Sequence, residues 1–209
     1  MILIGQYDSP FVRRVAIALR LYDLPFEHRP LSVWSQADEV ALINPLRRVP
    51  ILVLEDGLVL VESAAILDEL DQRMPAERRL VPAAGRDRTR VLRTAAFAMG
   101  FADKTVSLFY EGLIRSEPSA MWVERCRAQL YGTLDMLERE QAARGTRYVL
   151  GDRLSHADLA LTCAVRFAEV ALPDLLPPTR WPALFALVDD VASLPVFAEI
   201  HQPLHVAPR

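Results

Sequence analysis

Cysteine, surplus positive charge and long hydrophobic runs are all scarce in this chain of 209 residues, and each scarcity excludes a class of protein. Cys126 and Cys163 are the only cysteines, and they form neither a CxxC pair nor a metal-ligand pattern. A disulfide-stabilised secreted fold is therefore unexpected, and so is a metal site built on thiolates. We expect two buried, reduced thiols and no metal cofactor.

The charge balance and the hydropathy pattern exclude two kinds of partner. The formal net charge is -3 at pH 7, so no basic surface for nucleic acid or an anionic membrane is indicated. No apolar run is long enough to cross a bilayer, and residues 1–5 lack the basic and apolar regions of a signal peptide. We expect a cytoplasmic globular protein that has neither nucleic acid nor a membrane as a partner.

The first third of the chain alternates between strand and helix patterns. The predicted elements are a strand at 2–4, a helix at 12–22, a strand at 26–31, hairpin strands at 51–55 and 58–61, and a helix at 63–74. Asp56-Gly57, between the hairpin strands, is a strong signal for a tight turn. A β-α-β unit followed by a β-β-α unit is the thioredoxin-like arrangement, so we predict an α/β domain at residues 1–76.

The rest of the chain has helical patterns after a linker predicted at residues 77–86. Long amphipathic stretches cover 87–115 and 120–144. Ser155 and Asp158 form the capping box of a further helix that is apolar on nearly every side, which is typical of the inside of a bundle. We therefore predict an all-α helical-bundle domain at residues 87–209.

Polar residues next to predicted helix starts are the first candidates for chemistry. Ser9, followed by Pro10, suits the N-cap of the first helix. Its hydroxyl, beside the positive end of the helix, would also suit a hydrogen bond to a bound thiolate, which would lower the pKa of that thiol. The sequence leaves the structural and the functional interpretation open.

Two other segments have the same double interpretation. Pro50 is at the start of a predicted strand, where a proline can simply limit pairing at the edge of a sheet. If the Val49–Pro50 peptide bond is cis, the Val49 amide and carbonyl instead turn outward and can pair with an extended peptide. Ser63 suits an N-cap, but a helix start with a serine hydroxyl is also a carboxylate site, and Glu62 beside it would suit an ammonium group.

With these residues in place, the chain resembles the cytosolic glutathione S-transferases over nearly its whole length, in particular the serine-type classes and bacterial transferase-like proteins. Four motifs carry the resemblance: Ser9-Pro10-Phe11-Val12-Arg13-Arg14-Val15, Asn44-Pro45-Leu46-Arg47-Arg48-Val49-Pro50, Glu62-Ser63-Ala64-Ala65-Ile66 and Ser155-His156-Ala157-Asp158. The resemblance implies a glutathione-transferase architecture, with glutathione as co-substrate.

The resemblance also implies a role for each candidate residue. Ser9 would be the catalytic residue at the glutathione sulfur, and Val49 would pair with the cysteinyl backbone. Arg48 would meet the glycyl carboxylate, and Glu62 and Ser63 the γ-glutamyl end. Tyr7 is the second candidate for thiol activation, although we expect its side chain on the buried first strand.

The function implied is transfer of glutathione to a small electrophile, in detoxification, by a homodimer. Two alternatives stay open: glutathione-dependent reduction of disulfides or peroxides, and non-catalytic binding of glutathione. Ser9 stands where thiol-active relatives have cysteine, which argues against a mechanism that uses the protein's own thiol. The paired Ser-Ser-Cys stretch of the maleylacetoacetate-isomerase class is absent, which argues against that class.

Overall fold

The computed structural model describes residues 1–204 and divides the chain into two compact units. The first consists of Met1–Arg79 together with the residues from Leu194 onward, and the second of Leu80–Ser193. Within residues 1–204, no helix is both long and apolar enough to cross a membrane.

The first unit is built on a four-stranded mixed sheet with the strand order β2-β1-β3-β4. The strands are β1 (Ile2–Ile4), β2 (Glu27–Arg29), β3 (Ile51–Val53) and β4 (Val59–Val61), and the helices are α1 (Pro10–Leu21), α2 (Ala37–Ile43) and α3 (Ser63–Gln72). β1 pairs in parallel with β2 and antiparallel with β3, which is why its Leu3 and Ile4 are almost fully buried. The thioredoxin-like fold class is confirmed.

The predicted hairpin forms, with shorter strands than the apolar runs indicate. Gly57 has a φ of +88°, which only glycine adopts readily, and the Leu58 amide donates to the Asp56 side chain at 3.0 Å. The Leu54 amide donates to the Leu58 carbonyl at 2.9 Å and closes the loop. β3 therefore ends before the loop, at Val53, and β4 begins after it, at Val59.

The second unit is all-helical, as predicted. It contains α4 (Gly85–Ile114), α5 (Ala120–Arg144), α6 (His156–Ala171) and α7 (Pro182–Ala192), with short 3-10 turns at Pro173–Leu175 and Pro178–Arg180. α6 packs against both α4 and α7, and its residues from His156 to Val165 are all buried. The capping box is present, because the Ser155 amide donates to the Asp158 carboxylate at 2.8 Å.

The end of the described chain does not belong to the helical unit, in contrast to the predicted division at 1–76 and 87–209. A short helix, α8 (Pro195–Glu199), packs on α1 of the first unit. Phe197 and Ile200 are each 2% exposed, so burial of their apolar side chains fixes this segment on the first unit. The last residues of the predicted 87–209 domain, 205–209, lie outside the described residues.

Candidate functional site

Ser9 lies at the N-cap of α1, as predicted. Its backbone is extended (φ -69°, ψ 124°), Pro10 follows at the first helical position, and its Oγ accepts a hydrogen bond from the Val12 amide at 3.4 Å. A hydroxyl that accepts one hydrogen bond still has its own proton to donate. Capping and donation to a bound anion are therefore compatible at Ser9.

Gly5 is the point at which the start of α1 meets the Val49–Pro50 segment. Its φ is +125°, and a Cβ added there would lie 2.7 Å from Val12 Cγ2 and 2.8 Å from Val49 Cβ. No ordinary Cβ tolerates such distances, so only glycine permits this approach. The structure thus brings together two of the three predicted segments, which are about forty residues apart in sequence.

The Val49–Pro50 peptide bond, which the sequence left open, is cis. Within residues 1–204, the Val49 amide and carbonyl make no hydrogen bond to the rest of the chain. Both groups therefore still have their hydrogen-bonding capacity for a ligand.

The N-cap of α3 is Glu62, one residue before Ser63, which was the predicted N-cap. Ser63 is the first residue of α3 and is buried, whereas Glu62 is the N-cap and its side chain makes no capping bond. Glu62 has a φ of +66° and a ψ of 117°, which is a costly backbone conformation for a residue with a side chain, by about 1–3 kcal/mol. Such strain is concentrated at functional sites, and the Glu62 carboxylate is not engaged in capping α3.

Arg48 and Glu62 connect the second and third segments. The Arg48 Nη1 lies 3.8 Å from the Glu62 Oε1, and the two side chains are 57% and 58% exposed. An exposed pair of this kind stabilises a fold by only about 0–1 kcal/mol. An extended tripeptide is about 10 Å long, so the two side chains would have to separate to hold opposite ends of one glutathione molecule.

Tyr7 is not on the buried strand, and that expectation was wrong. β1 ends at Ile4, and Tyr7 lies in the following turn, where its ring stacks on the His28 ring with centroids 3.8 Å apart and planes within 4°. Burial is the main cause that raises the pKa of Tyr7; Arg20 lowers it and Glu199 raises it. The phenol therefore stays protonated at neutral pH and is a possible donor but not a base.

His28 is a residue of this region that the sequence did not single out. Its Nε2 lies 2.8 Å from the Gly5 carbonyl oxygen, and because a carbonyl only accepts, the Nε2–H donates. A lone histidine on a short strand carries no signal of such a role. It fixes Gly5 from the side of β2, while Val12 and Val49 enclose Gly5 from the other elements.

Metal-ligand clusters and cysteine thiols would be other sources of chemistry in the described residues. Among residues 1–204, no group of three or more histidine, cysteine, aspartate or glutamate side chains is arranged to hold a metal ion. Cys126 and Cys163 are both buried in the second unit, and neither forms a disulfide. Trp34 is 50% exposed in the loop before α2.

A mixed four-stranded sheet with the element order β-α-β-α-β-β-α, followed by an all-helical unit, defines a glutathione-transferase architecture. Models of the glutathione S-transferase N-terminal and C-terminal domains match residues 3–78 and 120–190. The GST-like protein YibF of Escherichia coli is 30% identical, over 97% of this chain and 99% of its own length. The chain belongs to the glutathione S-transferase family.

Two further relatives describe the range of that family. A crystal structure of a glutathione S-transferase from Methylobacterium radiotolerans, in complex with glutathione sulfonate, superposes with a TM-score of 0.90 at 29% identity and covers 100% of this chain and 97% of its own. Maleylacetoacetate isomerase of Mus musculus is 26% identical over 96% of this chain and 91% of its own length. The family therefore includes both transferases and an isomerase.

Proposed function

We propose that this protein is a glutathione transferase that binds glutathione as its thiolate and conjugates it to a small electrophile. The observation that supports this most is the junction at Gly5. There, a helix start with a proton-donating Ser9 hydroxyl meets Val49, whose backbone groups have no partner within residues 1–204. A short peptide with a thiol group could accept the hydrogen bond from Ser9 through its sulfur and pair with the Val49 amide and carbonyl through its backbone.

The chemistry follows from the groups around the sulfur. The Ser9 hydroxyl would donate a hydrogen bond to the thiolate, and the positive end of the 12-residue α1 would stabilise the same charge. Both effects favour the thiolate over the thiol and so lower the pKa of the thiol. The thiolate then attacks an electrophilic carbon, an S–C bond forms, and the leaving group departs with its electron pair.

The remaining residues would hold the peptide in place. Val49 would pair with the cysteinyl backbone through its amide and carbonyl. Glu62 would receive the γ-glutamyl ammonium, and the start of α3 at Ser63 would receive the γ-glutamyl carboxylate. Arg48 would meet the glycyl carboxylate. The glutathione sulfonate in the Methylobacterium radiotolerans relative supports a site for glutathione in this chain.

The experiment that tests this proposal combines binding with turnover. Calorimetric titration with glutathione should give saturable binding of one ligand per chain, and an aryl halide should be conjugated with consumption of glutathione. Binding with no turnover across a broad panel of electrophiles would favour the non-catalytic alternative. Absence of binding would refute the proposal.

A second candidate, glutathione-dependent isomerisation, is favoured by the maleylacetoacetate isomerase relative. In that chemistry the thiolate adds to a conjugated double bond, the intermediate rotates, and elimination restores free glutathione. The stoichiometry distinguishes it from conjugation, because isomerisation leaves the glutathione concentration unchanged. Oxidation of two glutathione molecules by a small disulfide would instead indicate the reductase alternative.

We also propose a homodimer located in the cytoplasm and active in detoxification. Both units have exposed apolar side chains that support this proposal. β4 is the edge strand of the sheet, and Val59 in it and Leu58 just before it are exposed; on α4, Leu92 and Phe97 are exposed. Exposed apolar side chains next to an edge strand are typical of an interface. Sedimentation velocity at micromolar concentration tests it, and a monomer across that range would refute it.

A further inference from the structure

The loop that carries Ser9 is short and is held at few points. Residues 5–9 connect β1 to α1, and the Ser9 amide donates to the Gln6 carbonyl at 3.2 Å in a tight turn. The Gly5 amide donates to the Arg29 carbonyl at 2.9 Å. These bonds fix the two ends of the loop, and its middle residue, Tyr7, is fixed from elsewhere.

The element that reaches Tyr7 is residues 194–204, which we call the C-terminal strap; it comprises α8 and the residues up to Leu204. The Gln202 Oε1 accepts a hydrogen bond from the Tyr7 amide at 3.0 Å. Because this amide lies two residues before Ser9, its position limits where the Ser9 hydroxyl can be.

The strap is itself anchored to α1, by a residue of the Ser9 motif. Arg13 donates from Nε to the Ile200 carbonyl and from Nη2 to the Phe197 carbonyl, both at 2.8 Å, and its guanidinium lies 5.4 Å from the centre of the Phe197 ring. Arg20 Nε and Glu199 Oε1 form an ion pair at 2.8 Å. α1 and the strap therefore form one packed structure that presents Gln202 to the loop.

We propose that Gln202 is a positioning residue for Ser9: through the Tyr7 amide, the C-terminal strap sets the place of the hydroxyl that would stabilise the glutathione thiolate. This inference rests on the proposed function. Loss of the acceptor would leave the Tyr7 amide without its partner and allow the loop to shift. A displacement of about 1 Å at a reacting group reduces rates by up to 10²-fold.

The test compares Gln202→Leu, which removes the acceptor at similar size, with Gln202→Glu, which keeps an acceptor oxygen. His201→Ala, at an exposed neighbouring position of the strap, is the matched control. Each variant is assayed at high ionic strength, which screens the added charge of the Glu variant. The measurements are the apparent pKa of the thiol of bound glutathione, kcat, KM for glutathione, and Tyr7 amide hydrogen exchange.

We expect Gln202→Leu to lower kcat about tenfold, to raise the thiol pKa by about one pH unit and to speed Tyr7 amide exchange, with KM changed less than about twofold. Gln202→Glu should recover most of kcat, and His201→Ala should match the parent. A parental thiol pKa in Gln202→Leu overturns the inference. An unprotected Tyr7 amide in the parent protein overturns it as well, and that measurement does not require any variant to fold.

Ser9→Ala, measured in parallel, distinguishes a failure of the proposed function from a failure of the positioning role of Gln202. If the parent protein forms no bound thiolate, the proposed function fails. If Ser9→Ala loses the thiolate while Gln202→Leu retains it, the proposed function stands and only the positioning role of Gln202 is refuted.

Discussion

Substitution of Gly5 by alanine is the most direct test of the junction in the first unit. The new Cβ would meet Val12 Cγ2 at 2.7 Å and Val49 Cβ at 2.8 Å. The Val49 Cβ is attached directly to its backbone, so the contact is relieved only if the backbone at Val49 or Gly5 moves. The substitution therefore acts on stability and on the shape of the proposed glutathione site together.

The magnitude separates into two parts because the chain offers a matched control. Gly57 also has a positive φ, +88°, but a Cβ there would meet nothing within 4 Å. Gly57→Ala should therefore cost only the backbone strain, about 1–3 kcal/mol. Gly5→Ala adds overpacking of about 1–3 kcal/mol to a backbone strain in the same range. The free energy of unfolding of Gly5→Ala should therefore be lower than that of Gly57→Ala by about 1–3 kcal/mol.

The assay is a urea titration of the parent and both variants, followed by circular dichroism and analysed by linear extrapolation. Glutathione affinity is then measured by calorimetry under conditions in which all three proteins are folded. We expect Gly5→Ala to bind glutathione at least about tenfold more weakly, which is about 1.4 kcal/mol, and Gly57→Ala to bind normally. Equal losses of stability in the two variants, with parental affinity in Gly5→Ala, would show that the contacts of Gly5 with Val12 and Val49 do not shape a glutathione site.

Three further predictions concern single side chains. Ser9→Ala and Ser119→Ala should each lose about 0.5–2 kcal/mol of stability, but only Ser9→Ala should raise the pKa of the bound glutathione thiol, by about 1–2 pH units; an unchanged value would return attention to Tyr7. Arg48→Gln should weaken binding of glutathione about tenfold but not of γ-glutamylcysteine, which lacks the glycyl carboxylate. An equal loss for both ligands in calorimetry would contradict that assignment. The Trp181 Nε1–H, with Arg180, holds the pKa of Asp135 below its usual 3.8, so Asp135→Asn should lower stability near neutral pH. Since the folded-state pKa is depressed, this difference should shrink as the pH falls below about 3.8, and a difference that is constant with pH would contradict it.

The parts of the fold that were predictable are those specified by neighbouring residues. Asp56-Gly57 encodes a turn because Gly57 supplies a positive φ and the Asp56 side chain accepts from the Leu58 amide. Ser155 and Asp158 encode a helix start because their exchanged hydrogen bonds span three residues. Signals of this length are complete in a short window of sequence.

The parts that were not predictable depend on residues far apart in the chain. The bonds of Arg13 to the strap join residues 184 and 187 positions apart, and the bond of the Tyr7 amide to Gln202 spans 195. Arg13 in a helix and Gln202 near the end of the sequence show no shared pattern. The helical pattern of the later part of the chain predicts helices there, but it does not indicate on which element α8 packs.

The difference between a structural serine and a candidate catalytic serine is of the same long-range kind. Ser9 and Ser119 have nearly identical local geometry: their φ values are -69° and -68°, and each Oγ accepts from the amide three residues later at 3.4 Å. Capping therefore neither supports nor opposes a role in catalysis. The helix start at Ser9 differs because Gly5 admits Val49 beside its first turn and Gln202 holds the preceding loop. The candidate site consequently depends on a close approach and a hydrogen bond, and each of these can be removed while Ser9 itself is retained.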